Sequence, residues 1–152
     1  MHKATVVFAI CLVLVLSSAC TRKVPGESKV NFELDKWYEV NLKDGPVTLH
    51  RLRLERKGGL TKSAFFRPGN SQYLEDVQIQ IEYSNQADRD WRTDFEITWR
   101  DGAGKVIDGY RGDEQLDDRK DRDLATVTLS TLRYGLEKAS TLHFHFEVRP
   151  KG

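Results

Sequence analysis

The sequence predicts an all-β domain, an antiparallel sandwich of seven or eight short strands, and three observations carry that prediction. Apolar residues recur with a period of two rather than 3.6 through most of the chain after Val30. Turn clusters separate the apolar runs: Asp44-Gly45-Pro46, Gly58-Gly59, Pro68-Gly69-Asn70, Ser84-Asn85 and Asp101-Gly102-Ala103-Gly104. No stretch of ten or more residues is amphipathic at helical spacing, and Leu116–Leu124 allows a turn or two at most.

Taken in order, the runs are Val30–Leu34, Trp37–Leu42, Val47–Glu55, Val77–Tyr83, Trp91–Arg100, Lys105–Asp108, Ala125–Ser130 and Leu142–Arg149. Trp37 and Tyr38 are adjacent, so one of them must point outward from a regular strand. Between Val47 and Glu55 the apolar parity flips, from Val47 and Leu49 to Leu52 and Leu54, which predicts a bulge or an edge position. Val77, Ile79, Ile81 and Tyr83 alternate with Gln78, Gln80 and Glu82, giving one dry and one wet face. Trp91, Phe95, Ile97 and Trp99 share a parity, which places both tryptophans in the core. The Asp-Gly-Ala-Gly turn joins Trp91–Arg100 to Lys105–Asp108 as a hairpin. Ala125, Val127 and Leu129, then Leu142, Phe144, Phe146 and Val148, alternate in the same way.

The segment Val77–Asp108, with Tyr83-Ser84-Asn85, a Trp-led strand and Asp101-Gly102-Ala103-Gly104-Lys105-Val106, resembles the middle of immunoglobulin-like domains in bacterial envelope lipoproteins. That resemblance implies an immunoglobulin-like sandwich. Its motifs are turn chemistry, so it transfers no catalytic residues.

The amino terminus reads as an export signal. Lys3 is a short basic region, Ala4–Leu16 is an apolar run, and Ser17-Ser18-Ala19 are small residues of the kind cleaved by a signal peptidase. The apolar run is too short to span a bilayer, which takes about 20 residues. Leu16-Ser17-Ser18-Ala19-Cys20 resembles a bacterial lipobox, with Leu16 one place before the preferred position and the tolerated Ser17 in its stead. The resemblance implies cleavage after Ala19 and palmitate-type acylation of Cys20. It also implies outer-membrane anchoring facing the periplasm if the organism has such a membrane, because Thr21 is not the Asp of inner-membrane retention. The expected organisation is a signal peptide over 1–19, a lipidated cysteine and tether over 20–29, and a β-sandwich domain over 30–150. The two cysteines, Cys11 and Cys20, then leave one thiol in the mature chain and no disulfide.

Composition narrows the function classes. Lys and Arg number 24 against 23 Asp and Glu, so no global field draws the domain to nucleic acid. Beyond Ala19 about a third of residues are apolar, enough for one core at this length. No Gly-x-Ser-x-Gly, mature thiol other than Cys20, or Gly-rich phosphate loop is present.

Four constellations remain. His143-x-His145-x-Glu147 puts two imidazoles and a carboxylate on one strand face, about 7 Å apart in succession. They could hold zinc or copper, or simply form a wet face. His50–Lys62 carries Arg51, Arg53, Arg56, Lys57 and Lys62 against Glu55, a basic run that suits anionic headgroups or glycans, with Arg51, Arg53 and Lys57 as the candidate contacts. The plainer expectation is an edge strand protected by charge. Arg111–Asp123 has the oxygen ligands calcium favours in Asp117, Asp118, Asp121 and Asp123, but lacks the Gly and Glu of an EF-hand loop, so a solvated, mobile loop is expected. Its Arg111-Gly112-Asp113 tripeptide is read as chance. Trp37 offers a stacking surface for a sugar.

The resulting expectation is a membrane-anchored envelope protein with a non-catalytic binding or structural sandwich, without a cofactor beyond the lipid on Cys20. Its partners would be the membrane, envelope proteins, anionic headgroups or glycans, and not nucleic acid. The rivals are a metal-dependent protein or enzyme using His143, His145 and Glu147, and a glycan-binding module.

Overall fold

The computed structural model describes residues 28–57 and 73–152. The expected signal segment, Cys20 and most of the tether, together with Lys62 and the Gly58-Gly59 and Pro68-Gly69-Asn70 turns, lie outside the described residues. Eight strands run β1 (Ser28–Asn31), β2 (Trp37–Asp44), β3 (Val47–Arg56), β4 (Leu74–Asn85), β5 (Trp91–Arg100), β6 (Val106–Leu116), β7 (Lys120–Leu132) and β8 (Thr141–Pro150). One short helix, α1 (Arg133–Lys138), joins β7 to β8. The architecture is the expected all-β antiparallel sandwich. One sheet has the order β1-β8-β5-β6, the other β2-β3-β4-β7, and every pairing is antiparallel.

The alternation read from the sequence is what welds the sheets. Leu49, Leu52, Leu54, Val77, Ile79 and Ile81 of one sheet are fully buried against Ile97, Trp99, Leu142 and Phe146 of the other. Burying each such side chain is worth about 1.5–3 kcal/mol. Trp91 and Trp99 are both in the core, as their parity requires. Of the adjacent pair, Tyr38 goes inward and Trp37 outward. The Tyr38 hydroxyl, accepting from the Glu33 amide at 2.6 Å, closes the β1–β2 connection.

Turn chemistry closes the hairpins. Gly45 has φ 54° in the two-residue β2–β3 turn, the left-handed conformation that matches the twist of the flanking strands. Asp101 accepts from the amides of Ala103 and Lys105, both at 2.9 Å, and folds the β5–β6 turn. The fully buried Asn85 ends β4. Its amide donates to the carbonyls of Arg89 and Leu116, each at 3.1 Å, while its oxygen accepts from Ala87 at 3.0 Å. This one side chain holds the loop that carries the chain from one sheet to the other.

Three expectations need correction. The Arg111–Asp123 segment is not a mobile loop: it supplies the end of β6 and the start of β7, with only Asp117–Arg119 between them. Both are outermost strands, so alternating charges face water on both without leaving the ladder. Arg111-Gly112-Asp113 therefore lies inside a strand. Leu116–Leu124 forms no helical turn, since Leu116 is fully buried and Leu124 exposed. The basic strand is not an edge: β3 lies between β2 and β4. Within the described residues β1 pairs with β8 from Ser28, opposite Phe144, to Asn31, opposite Thr141.

Candidate functional site

The parity flip in β3 is a bulge, with the register against β4 shifting between Leu49 and Arg51. It does not stand alone. The β2–β3 register shifts between Glu39 and Leu42, and the β4–β7 register shifts between Tyr83 and Asn85. The three irregularities line up across the sheet. A bulge re-aims side chains, and bulges are over-represented beside functional sites. Here they crowd His50, Arg51, Glu82, Ser84, Asp121 and Arg122 onto one patch of the outer face.

Glu82 is the centre of the patch, with its side chain only 9% exposed. Arg51 donates to Glu82 Oε2 through Nε at 3.1 Å and Nη2 at 2.8 Å, and Arg122 Nη1 reaches Oε1 at 2.6 Å. Burial pushes the Glu82 carboxyl up, but the Arg51 hydrogen bonds and the charges of Arg51, Arg122 and His50 outweigh it, leaving the group below its ordinary 4.5. Arg122 pays for its position in backbone conformation, with φ 56°. A left-handed residue other than glycine costs about 1–2 kcal/mol. Its amide donates to Ser84 Oγ at 3.2 Å.

Ser84 Oγ also meets His50 Nε2 at 2.8 Å and donates to Asp121 Oδ1 at 3.4 Å. The hydroxyl stands between imidazole and carboxylate. In a nucleophile–base–carboxylate relay the imidazole stands between the other two, so the order required for acyl transfer is absent from this trio. Beside it, Arg53 Nη2 donates to Gln80 Oε1 at 2.8 Å and pairs with Glu55 at 3.1 Å. The guanidinium carbons of Arg51 and Arg53 lie 4.4 and 4.8 Å from the Trp37 ring centroid.

Of the three basic candidates, Arg51 and Arg53 are therefore gathered over Trp37. Lys57 lies just past the end of β3, with its amide on the Asp76 carbonyl at 3.0 Å. The pairing with Glu82 and Glu55 consumes much of the positive field the sequence displays. Glu82, Ser84 and Arg122 were not singled out by sequence reasoning. Their only sequence signal is wet parity in β4 and a charge run in β7, and choosing among such positions requires the strand order.

His143, His145 and Glu147 lie on the outer face of the other sheet, on the central strand β8. His145 Nε2 is 3.5 Å from Glu147 Oε1. His143 and His145 line a shallow depression of about 250 Å³ with Glu96, Thr98 and Arg100. Among the described residues no three His, Cys, Asp or Glu side chains converge as a metal-holding group. The acidic residues Asp117, Asp118, Asp121 and Asp123 are likewise dispersed, with Asp123 paired to Lys120 at 3.0 Å and Asp118 to Arg119 at 3.8 Å.

Fold and site together define an antiparallel β-sandwich with one bulged, internally paired polar face. No family model matches the chain, and no curated protein matches it. Among solved structures it is similar to a DUF1425 family member from Shewanella sp. pv-4, at 12% identity, covering 79% of this chain and 95% of that one, with a TM-score of 0.33. A likeness that loose carries no argument about site or activity.

Proposed function

We propose that this chain is a lipid-anchored protein of the bacterial envelope whose sandwich serves a binding or structural role. The observation that carries the reading is the order Lys3, Ala4–Leu16, Ser17-Ser18-Ala19, Cys20, a three-part signal ending on the one thiol of the mature chain. The distribution of charge on the folded domain supports a non-catalytic role. Its buried carboxylate Glu82 is held between two arginines that keep it below its ordinary pKa, which suits fixing a surface rather than shuttling a proton. Trp37 under Arg51 and Arg53 is the part of that surface best suited to a planar or anionic group, such as a sugar or a headgroup.

The test is metabolic labelling with palmitate. One myristoyl-length chain holds a protein only marginally, so stable anchoring implies more than one acyl chain on Cys20. Wild type is expected to incorporate label and to sediment with membranes. Cys20→Ser removes the acceptor thiol and is expected to lose the label, because a hydroxyl is a far poorer nucleophile than a thiolate. Unlabelled, freely soluble wild type would show that Met1–Ala19 is a plain secretory signal.

A further inference from the structure

Among the described residues the sandwich has four outermost strands, β1, β6, β2 and β7, and three of them are protected against pairing with another chain. β1 is four residues long. β2 is broken by its register shift and by Asn41 at φ 50°, and carries Glu39, Lys43 and Asp44. β6 carries Asp108, Arg111, Asp113 and Glu114. Short length, irregularity and charge are the usual means by which proteins blunt a sheet edge.

β7 is protected only in its first part, Lys120–Asp123. From Leu124 to Leu132 it has nine residues without a charge or a proline. Its register against β4 is regular over that whole span, from Leu124 opposite Glu82 to Leu132 opposite Leu74. Among the described residues no strand pairs with its other edge. This is a long, flat, β-branched edge of the kind that accepts a further strand.

The pattern of this edge identifies the occupant. Leu124 and Leu132 are 47% and 53% exposed, and they stand four residues either side of Thr128. We propose that this edge pairs with the same edge of a second copy of the chain, antiparallel, across a two-fold axis through Thr128. Leu124 then faces Leu132 of the second copy, twice, so four exposed leucine side chains become cross-strand pairs. Val127 faces Leu129 on the inner side, which continues each core into the next. Thr126 faces Ser130, and Thr128 faces itself. The two four-stranded sheets become one of eight, through a self-complementary interface of the kind closed two-fold dimers use.

The test uses the full chain in detergent micelles. Residues directly opposite in an antiparallel pair have Cα atoms about 4.5–5.5 Å apart, within disulfide reach. Thr128→Cys is therefore expected to cross-link to a covalent dimer on mild oxidation, well above the wild-type background. Thr126→Cys, whose copies would lie about 13 Å apart, is expected to stay at that background. Sedimentation should give wild type the mass of a dimer. Thr128→Lys, which sets two like charges face to face at an exposed position, should weaken association at least tenfold while the strand signal in circular dichroism is unchanged. Monomeric wild type at every concentration would overturn the proposal. So would cross-linking of Thr126→Cys equal to or above that of Thr128→Cys, which would place the axis elsewhere.

Discussion

The two outer faces of this sandwich are built from the same residue types and have opposite characters. On the β1-β8-β5-β6 sheet the ladder is regular over the polar middle of β5 and β8, and the charges stay wet. Asp94 and Arg149 pair at 2.6 Å with side chains 35% and 58% exposed, and Glu147, the carboxylate of the His-x-His-x-Glu run, is 67% exposed. On the β2-β3-β4-β7 sheet three bulges compress the ladder, and Glu82 is drawn under two arginines to 9% exposure. The difference teaches that backbone irregularity, rather than the choice of side chains, gathers a strand face around a buried carboxylate. Water screens the first face and leaves each pair worth little. On the second face Glu82 is buried, so removal of one partner leaves it short of its hydrogen bonds.

The largest expected effect is at the compressed centre. Arg51→Ala leaves Glu82 buried beside Arg122 alone and is expected to cost about 2 kcal/mol in urea unfolding, within the range for a charged group losing its partner. A cost below about 0.5 kcal/mol would make this face no tighter than an ordinary surface pair. The same carboxylate sets a pH dependence. Its folded value lies below the ordinary 4.5, so its contribution is full above that pH and is lost as pH falls through the lowered folded value. Wild type is therefore expected to lose stability more steeply than Glu82→Gln below pH 4.5. Parallel profiles would place the titration elsewhere.

A smaller effect separates strain from charge at Arg122. Both Arg122→Ala and Arg122→Gly lose the 2.6 Å contact with Glu82, but only glycine relieves φ 56°. The glycine variant is expected to be more stable than the alanine variant by about 1 kcal/mol. Equal stabilities would mean that the bulge relaxes without the arginine.

The smallest effect is expected on the regular face. His145→Ala should change stability by less than about 0.5 kcal/mol, as partly exposed positions outside a buried network usually do. An equimolar addition of zinc should leave the melting temperature where it was. A zinc-dependent rise that vanishes in His143→Ala and His145→Ala would instead revive the metal reading of this strand.

Much of the architecture was legible beforehand because a strand writes its own periodicity. Val77–Tyr83 and Trp91–Trp99 declared their inner faces by parity alone, and the flip between Leu49 and Leu52 declared the bulge. Asn85 and Asp101 were legible as turn residues, although not as the anchor of a sheet crossing. The segment Arg111–Asp123 misled because charge density in a sequence reports wetness and not the absence of hydrogen-bonded structure. An outermost strand is wet along its free edge while its other edge is fully paired.

What the sequence by itself determined is the all-β class, the inward set of side chains and the turns. Each of these rests on neighbours within a few residues. The tertiary structure decided which strands lie side by side. It placed β3 in the interior of its sheet rather than at the edge, and it brought Arg51, Glu82 and Arg122 together across three strands. Among the described residues it also left the Leu124–Leu132 edge without a neighbouring strand. The physical reason is that parity fixes the face a residue occupies, whereas cross-strand neighbours depend on strand order and on the cumulative offsets of bulges, which join residues about 30 to 40 positions apart.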